Sequence, residues 1–145
     1  MNSYSEMMLN KILDAPVGQV ITVLGEILNC DIQLQVVEQN MITPNQFVRK
    51  VVITAQELPV ITAIVKFDAT ILPKFIIDEI LLKKRGIGTI LNMNSINVTR
   101  KILSLNRHSN ESIASREYEL IHDGVTWFTI LEEIRLSDFD SNKYG

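Results

Sequence analysis

The chain is poor in the residues that carry redox, metal or nucleic-acid chemistry. It has one cysteine, two histidines, one tryptophan and four prolines in 145 residues. A lone thiol, Cys30, excludes an intrachain disulfide and suits a reducing compartment. Two histidines and one cysteine are too few for a usual structural zinc site, so no metal is expected. Basic residues do not outnumber acidic ones: 14 Lys and Arg stand against 17 Asp and Glu, a net charge of −3 with a pI of about 5.4. No basic field is available to hold phosphates, so no nucleic-acid partner is expected. No apolar run approaches the ~18–20 residues of a membrane span. The longest, 76–82, is broken by Asp78 and Glu79. Residues 1–6 lack the basic start and apolar core of a secretory signal, and the Arg-rich look of a transit peptide.

What is there is an ordinary globular composition, 46% apolar and 21% charged. Chains of this length bury roughly 68–70% of their unfolded surface. That leaves ample apolar area to offset chain entropy and excludes long-range disorder. No repeat and no Gly/Ser/Pro-rich linker divides the chain. One domain over 1–145 is expected, with a core at 17–136 and a polar, frayed tail at 137–145. The 20 isoleucines and 11 asparagines hint at an AT-rich gene.

Periodicity then places the elements. Met7, Met8, Lys11 and Ile12 recur at helical spacing until Pro16-Val17-Gly18 stops them. A second helix is predicted over 19–28, where Val20, Val23, Leu24, Ile27 and Leu28 share a face. From Ile32 the period changes to two, which predicts a strand over 32–37. Polar 38–46 reads as a loop, and 47–54 as a second strand. Gln56-Glu57-Leu58-Pro59 reads as a turn into a third strand, 60–67. Pro73 suits the first turn of a helix ending in the basic run Lys83-Lys84-Arg85. Gly86-Ile87-Gly88 reads as a chain break, 96–105 as a fourth strand and 107–112 as a polar loop. Strands at 115–121 and 125–134 flank Asp123-Gly124, the strongest hairpin signal in the chain. Helices first, then hairpins, with one helix crossing the middle, predict an α+β fold: a single antiparallel sheet of about six strands with helices on one face.

Strand parity singles out two charges. Phe47, Arg49, Val51 and Ile53 share one face; Thr126, Phe128, Ile130, Glu132 and Ile134 share another. Each face is apolar except for its one charge, and Arg and Glu are almost never fully buried unpaired. The pattern points to a polar pocket inside the fold. It equally fits an Arg49–Glu132 ion pair, or an Arg49 that snorkels at a strand edge. Glu133 is adjacent to Glu132, and a bulge would exchange their faces. Weaker features read structurally. The two glycines around Ile87 make no full nucleotide-binding pattern and are expected to allow close backbone packing. Cys30 has no visible His partner, and His108 and His122 are expected near solvent. The alternating charges of 115–119 read as an exposed strand face. Trp127 falls on the face opposite to that of Glu132 if the last strand is regular, and reads as packing.

These segments, in this order, resemble the chorismate lyase family over about 17–136. The pieces are 18–26, 47–53, Ile71-Leu72-Pro73, 85–91, Thr99-Arg100, and the final hairpin with Asp123-Gly124 and Glu132. Length and composition look most like the plastid-encoded and cyanobacterial branch. The resemblance implies a cofactor-free lyase that converts chorismate to 4-hydroxybenzoate and pyruvate and feeds plastoquinone-type synthesis. The setting would be the chloroplast stroma if the gene is plastid-encoded, and otherwise the cytoplasm. It implies that Arg49 binds the aromatic carboxylate and that Glu132 contacts the 4-hydroxyl side, the two being the catalytic pair. It also implies backbone contacts to substrate near Ile21 and Ile87. A second carboxylate-binding arginine is left open among Arg85, Arg100 and Arg116. Gly86 stands where relatives often carry proline. The expected partners are chorismate and its product, in a monomer or weak homo-oligomer. The same fold also serves as the ligand-binding half of some bacterial transcription regulators, so the rival is a non-catalytic module that binds a small aromatic acid.

Overall fold

Tight turns set the sheet. In the computed structural model, which describes residues 3–108 and 113–136, three hairpins each close in two residues. Strand β1 (Ile32–Thr43) meets β2 (Gln46–Ala55) across Pro44-Asn45, and β2 meets β3 (Leu58–Asp68) across Gln56-Glu57. Strand β5 (Ile113–His122) meets β6 (Val125–Arg135) across Asp123-Gly124. Gln56 and Glu57 both take positive φ, 51° and 69°, as do Asp123 and Gly124, at 49° and 78°. Positive φ at both central residues is what a two-residue hairpin of matching twist demands. With β4 (Thr99–His108) the strands form one antiparallel sheet in the order β1-β2-β3-β6-β5-β4. The α+β architecture expected from the order of elements is the one observed.

Four helices cover one face. Helix α1 (Ser3–Asp14) and α2 (Val20–Leu28) bring Met8, Leu9, Ile12, Leu24 and Leu28 onto Val51, Ile53, Ile61 and Ile134. Helix α3 (Lys74–Leu81) and α4 (Ile87–Met93) bring Ile76, Ile80, Ile87, Ile90 and Leu91 onto Val65, Leu120, Phe128 and Ile130. Burying each such side chain contributes about 1.5–3 kcal/mol. The opposite face of the sheet stays open, with Gln33, Gln35, Lys50, Lys66 and Glu133 exposed. The helices therefore make two clusters side by side on one sheet face, and the seam between them is where a cavity opens.

Several elements depart from the sequence reading. Residues 38–43 continue β1 instead of looping, because an edge strand needs no apolar alternation to keep its ladder: Glu38, Asn40 and Met41 pair with Lys50, Val48 and Phe47. Pro44 sits in the turn, off that ladder. Leu58 and Pro59 belong to β3, where a register shift beside Thr54 accommodates the missing proline N–H. Helix α3 stops at Leu81, and Lys83 at φ 57° turns the chain before the basic run is complete. The predicted break at Gly86-Ile87-Gly88 starts α4. Strand β4 begins three residues later than expected and runs on through Arg107 and His108. The loop residues 109–112 and the tail 137–145 lie outside the described residues. No described helix is long and apolar enough to cross a membrane.

Candidate functional site

The cavity at the seam measures about 100 Å³. That is of the order of the ~150 Å³ engineered cavity that takes a benzene ring in another protein. Its walls are mostly apolar, with Val51 and Ile53 from one cluster and Val65, Leu120 and Ile130 from the other. Its polar side chains are Thr89, Arg100, Tyr118 and Glu132. Ile21, in the first turn of α2, and Ile87, the first residue of α4, both line it. The family resemblance implies a backbone contact to substrate near each.

Two glycines shape one part of the wall. Gly18, at φ 86°, and Gly88 both line the cavity. A Cβ built on Gly88 would meet the Gly18 backbone nitrogen at 2.7 Å, and one built on Gly18 would meet the Gly88 carbonyl oxygen at 2.7 Å. The segment before α2 and the first turn of α4 therefore cross backbone to backbone, as expected of the glycines around Ile87.

Glu132 points inward and is 6% exposed, whereas Glu133 faces out and pairs with Arg135 at 3.1 Å. The inward acid does not pair with Arg49. Arg116, its partner in register on β5, donates from Nε to Glu132 Oε1 at 2.7 Å. The Tyr118 hydroxyl donates to Oε2 at 3.1 Å. Both carboxylate oxygens are thus engaged. Arg116 also donates from Nη1 to the Leu13 carbonyl at 3.0 Å, and Arg100 to the Ala15 carbonyl at 3.0 Å, so the two arginines tie the end of α1 to the sheet. Both guanidinium carbons lie 4.9 Å from the Tyr118 ring centroid, a cation–π arrangement. Burial, reinforced by the charge of Glu132, pushes the Tyr118 hydroxyl well above the usual tyrosine range and keeps it a donor. Burial also lowers the Arg100 guanidinium, the nearby Arg116 adding to the effect while Tyr118 and Glu132 oppose it.

Arg49 is placed differently. It is fully buried, and its side chain does not snorkel. Among the described residues no group hydrogen bonds to its Nε, Nη1 or Nη2. It stands two strands from Glu132, ~10 Å laterally. Arg49 itself is not among the residues that line the cavity, but its strand neighbour Val51 and its cross-strand partner Val65 both are. Burial alone lowers its guanidinium to about 10. A protein seldom leaves a buried cation with no partner, because desolvation costs several kcal/mol per ion.

The other sequence candidates fall where chemistry is absent or weak. Arg85 is exposed and pairs with Glu79 at 3.4 Å, which leaves Arg100 and Arg116 as the inward arginines. Cys30 is a free, half-buried thiol. His108 is exposed; the His122 ring packs on Trp127 with centroids 4.5 Å apart, and its Nδ1 lies 2.8 Å from the Asn97 carbonyl. Among the described residues no three His, Cys, Asp or Glu side chains gather into a metal-binding set. The reading of 115–119 as an exposed face is corrected: Arg116 and Tyr118 are 2% and 5% exposed. Trp127 is the cause. It is the extra residue of a bulge, since Ile121 pairs with Thr126 but Leu120 pairs with Phe128. A regular hairpin from the 122–125 turn sets Ser115 opposite Glu132; the bulge sets Arg116 there instead.

No family model matches the chain, and no curated protein matches it either. Its fold is similar to that of a solved chain described as a transcriptional regulator of the GntR family from Bacillus cereus. The TM-score is 0.53 at 11% identity, over 75% of this chain and 94% of that one.

Proposed function

We propose that this domain holds a small aromatic carboxylate at the helix–sheet seam and that its reaction is the conversion of chorismate to 4-hydroxybenzoate and pyruvate. The observation that carries this reading is Arg49, a buried cation whose three nitrogens meet no acceptor among the described residues, beside a mostly apolar cavity of ring size. A guanidinium grips a carboxylate with two parallel hydrogen bonds, and this one has both to give. At the far end Glu132, an acceptor fixed by Arg116 and Tyr118, takes a hydrogen bond from the ring hydroxyl. Apolar walls between the two ends suit the ring.

The chemistry asks little more. Chorismate breaks the bond between its ring and the enolpyruvyl oxygen and loses one ring hydrogen. The products together contain every atom of the substrate, so no oxidant or water is consumed. Aromatisation supplies the driving force. The protein's part is to hold the dianion in a reactive pose inside a preorganised field. Glu132 orients the hydroxyl-bearing carbon from which hydrogen leaves. The resemblance to the plastid-encoded and cyanobacterial branch extends the reading to a supply of 4-hydroxybenzoate for quinone synthesis in the stroma.

The likeness to a regulator's fold favours a second reading, a module that binds the acid without turning it over. Incubation with chorismate decides between them. Equimolar 4-hydroxybenzoate and pyruvate, lost in Arg49→Ala and reduced at least ~100-fold in Glu132→Gln with product affinity retained, supports the lyase. Tight binding of both compounds with no turnover supports the module. Binding of neither sinks both readings.

A further inference from the structure

Gln39 is an inward polar residue that neither the sheet nor the helices explain. Residues Ile32, Leu34 and Val36 of β1 turn inward by alternation, and strict alternation would next bring in Glu38 and Asn40. Instead the register shifts between Val36 and Glu38. Val36 pairs with Val51, Glu38 with Lys50, and Gln39 with Arg49. The bulge at Val37 therefore turns Glu38 out and Gln39 in. Bulges that re-aim one side chain gather next to functional sites.

The re-aimed side chain lands opposite Arg49 and makes no visible use of it. Gln39 Oε1 is buried and, among the described residues, has no hydrogen-bond partner; the same holds for all three nitrogens of Arg49. A buried guanidinium set across the ladder from a half-buried carboxamide whose buried oxygen has no partner among the described residues would be costly if packing were their only role. A carboxylate resolves both. It accepts two bonds from the guanidinium and a third from a carboxamide N–H, because a half-turn about the last side-chain bond exchanges oxygen for nitrogen. The fold has also kept a full negative charge out of this place: the bulge sends Glu38 to the exposed face, where Lys50 stands opposite it.

We propose that Gln39 is a ligand-binding residue, the neutral half of an Arg49–Gln39 pair that selects a carboxylate over an uncharged group. This rests on the small-aromatic-acid reading above. A neutral amide adds a hydrogen bond without cancelling the charge of Arg49; an acid at the same place would cancel it and repel the ligand.

The test titrates 4-hydroxybenzoate and its uncharged analogue 4-hydroxybenzamide into wild type, Gln39→Glu and Gln39→Leu. Wild type should prefer the acid. Gln39→Glu should weaken the acid roughly a hundredfold, by like-charge juxtaposition, while the amide holds or gains, so that the preference inverts. Gln39→Leu, similar in bulk, should weaken the acid about tenfold through one lost hydrogen bond to a charged group. The leucine variant serves if the glutamate variant fails to fold. Acid affinity unchanged in Gln39→Leu, or a folded Gln39→Glu that still prefers the acid, overturns the role of Gln39 and leaves the parent reading standing. Wild type that binds neither compound overturns the parent reading and this one with it.

Discussion

Arg49 and Arg116 are the same residue type on the same sheet face, 0% and 2% exposed, and they live in opposite circumstances. Arg116 has Glu132 directly across the ladder and the Leu13 carbonyl at the end of α1. Arg49 has Val65 on one side, Gln39 on the other, and no acceptor for any nitrogen among the described residues. The paired arginine is an instrument of the fold, since it closes a helix end onto the sheet and fixes an acid in the cavity wall. The unpaired one is a charge the fold carries at a loss. Where folding gains nothing from a buried ion, binding is the reason left to look for.

The comparison predicts opposite signs for like substitutions. Arg116→Met should destabilise by about 3–5 kcal/mol, because it strands the Glu132 carboxylate in the interior. For a chain of this size that lowers Tm by roughly 10 °C or more. The double variant Arg116→Met with Glu132→Met should recover most of the loss, since an apolar pair of similar volume can match a buried ion pair. Arg49→Met should move the other way, with Tm unchanged or raised by a few degrees, while affinity for a small aromatic acid falls roughly a hundredfold. Thermal melts of the three variants test the pairings. A marked loss of stability in Arg49→Met would show that the two arginines do the same structural work and would end the contrast.

Much of this was legible in the sequence, and the boundary has a physical cause. Parity on two strands identifies Arg49 and Glu132 as inward charges because β2 and β6 alternate regularly around them; every second residue from 49 to 55 and from 128 to 134 is buried. The hairpins at 56–57 and 123–124 were equally readable, the second from Asp-Gly alone. The inward placement of Arg116, Tyr118 and Gln39 was not, and each lies past a bulge. One extra residue, Trp127 in β6 or Val37 in β1, moves everything beyond it to the other phase. Polarity gave the wrong answer for the same residues: 115–119 looks solvated because it alternates charge, and 38–46 looks like a loop because it lacks apolar residues. Helix α4 was missed because glycines at 86 and 88 argue against a helix by propensity. The contact with Gly18 is the tertiary demand that overrides it.

Smaller effects sharpen the contrast. Tyr118→Phe removes the donor to Glu132 Oε2 and leaves the Arg116 bond in place. It should cost about 1–2 kcal/mol, less than the loss of Arg116, and chemical denaturation should resolve the two. The mildest effect concerns pH. Burial lowers the folded-state pKa of Arg49 from 12.5 to about 10. A cation with a depressed folded pKa opposes folding while it is charged in both states. As pH rises through about 10, the folded protein releases that proton and the unfolded chain keeps it, so this one residue's contribution to stability increases with pH. Tyr118 acts in the opposite sense: its raised folded pKa is a contribution present below the unfolded value near 10 and lost as pH climbs past it. The net curve of the wild type therefore hides the arginine. The difference between wild type and Arg49→Met isolates it, because Tyr118 and the surface lysines are common to both. The stability of wild type relative to Arg49→Met should rise between pH 9 and pH 11. A constant gap across that range would mean that Arg49 keeps its proton in the folded state, as a fully paired arginine does.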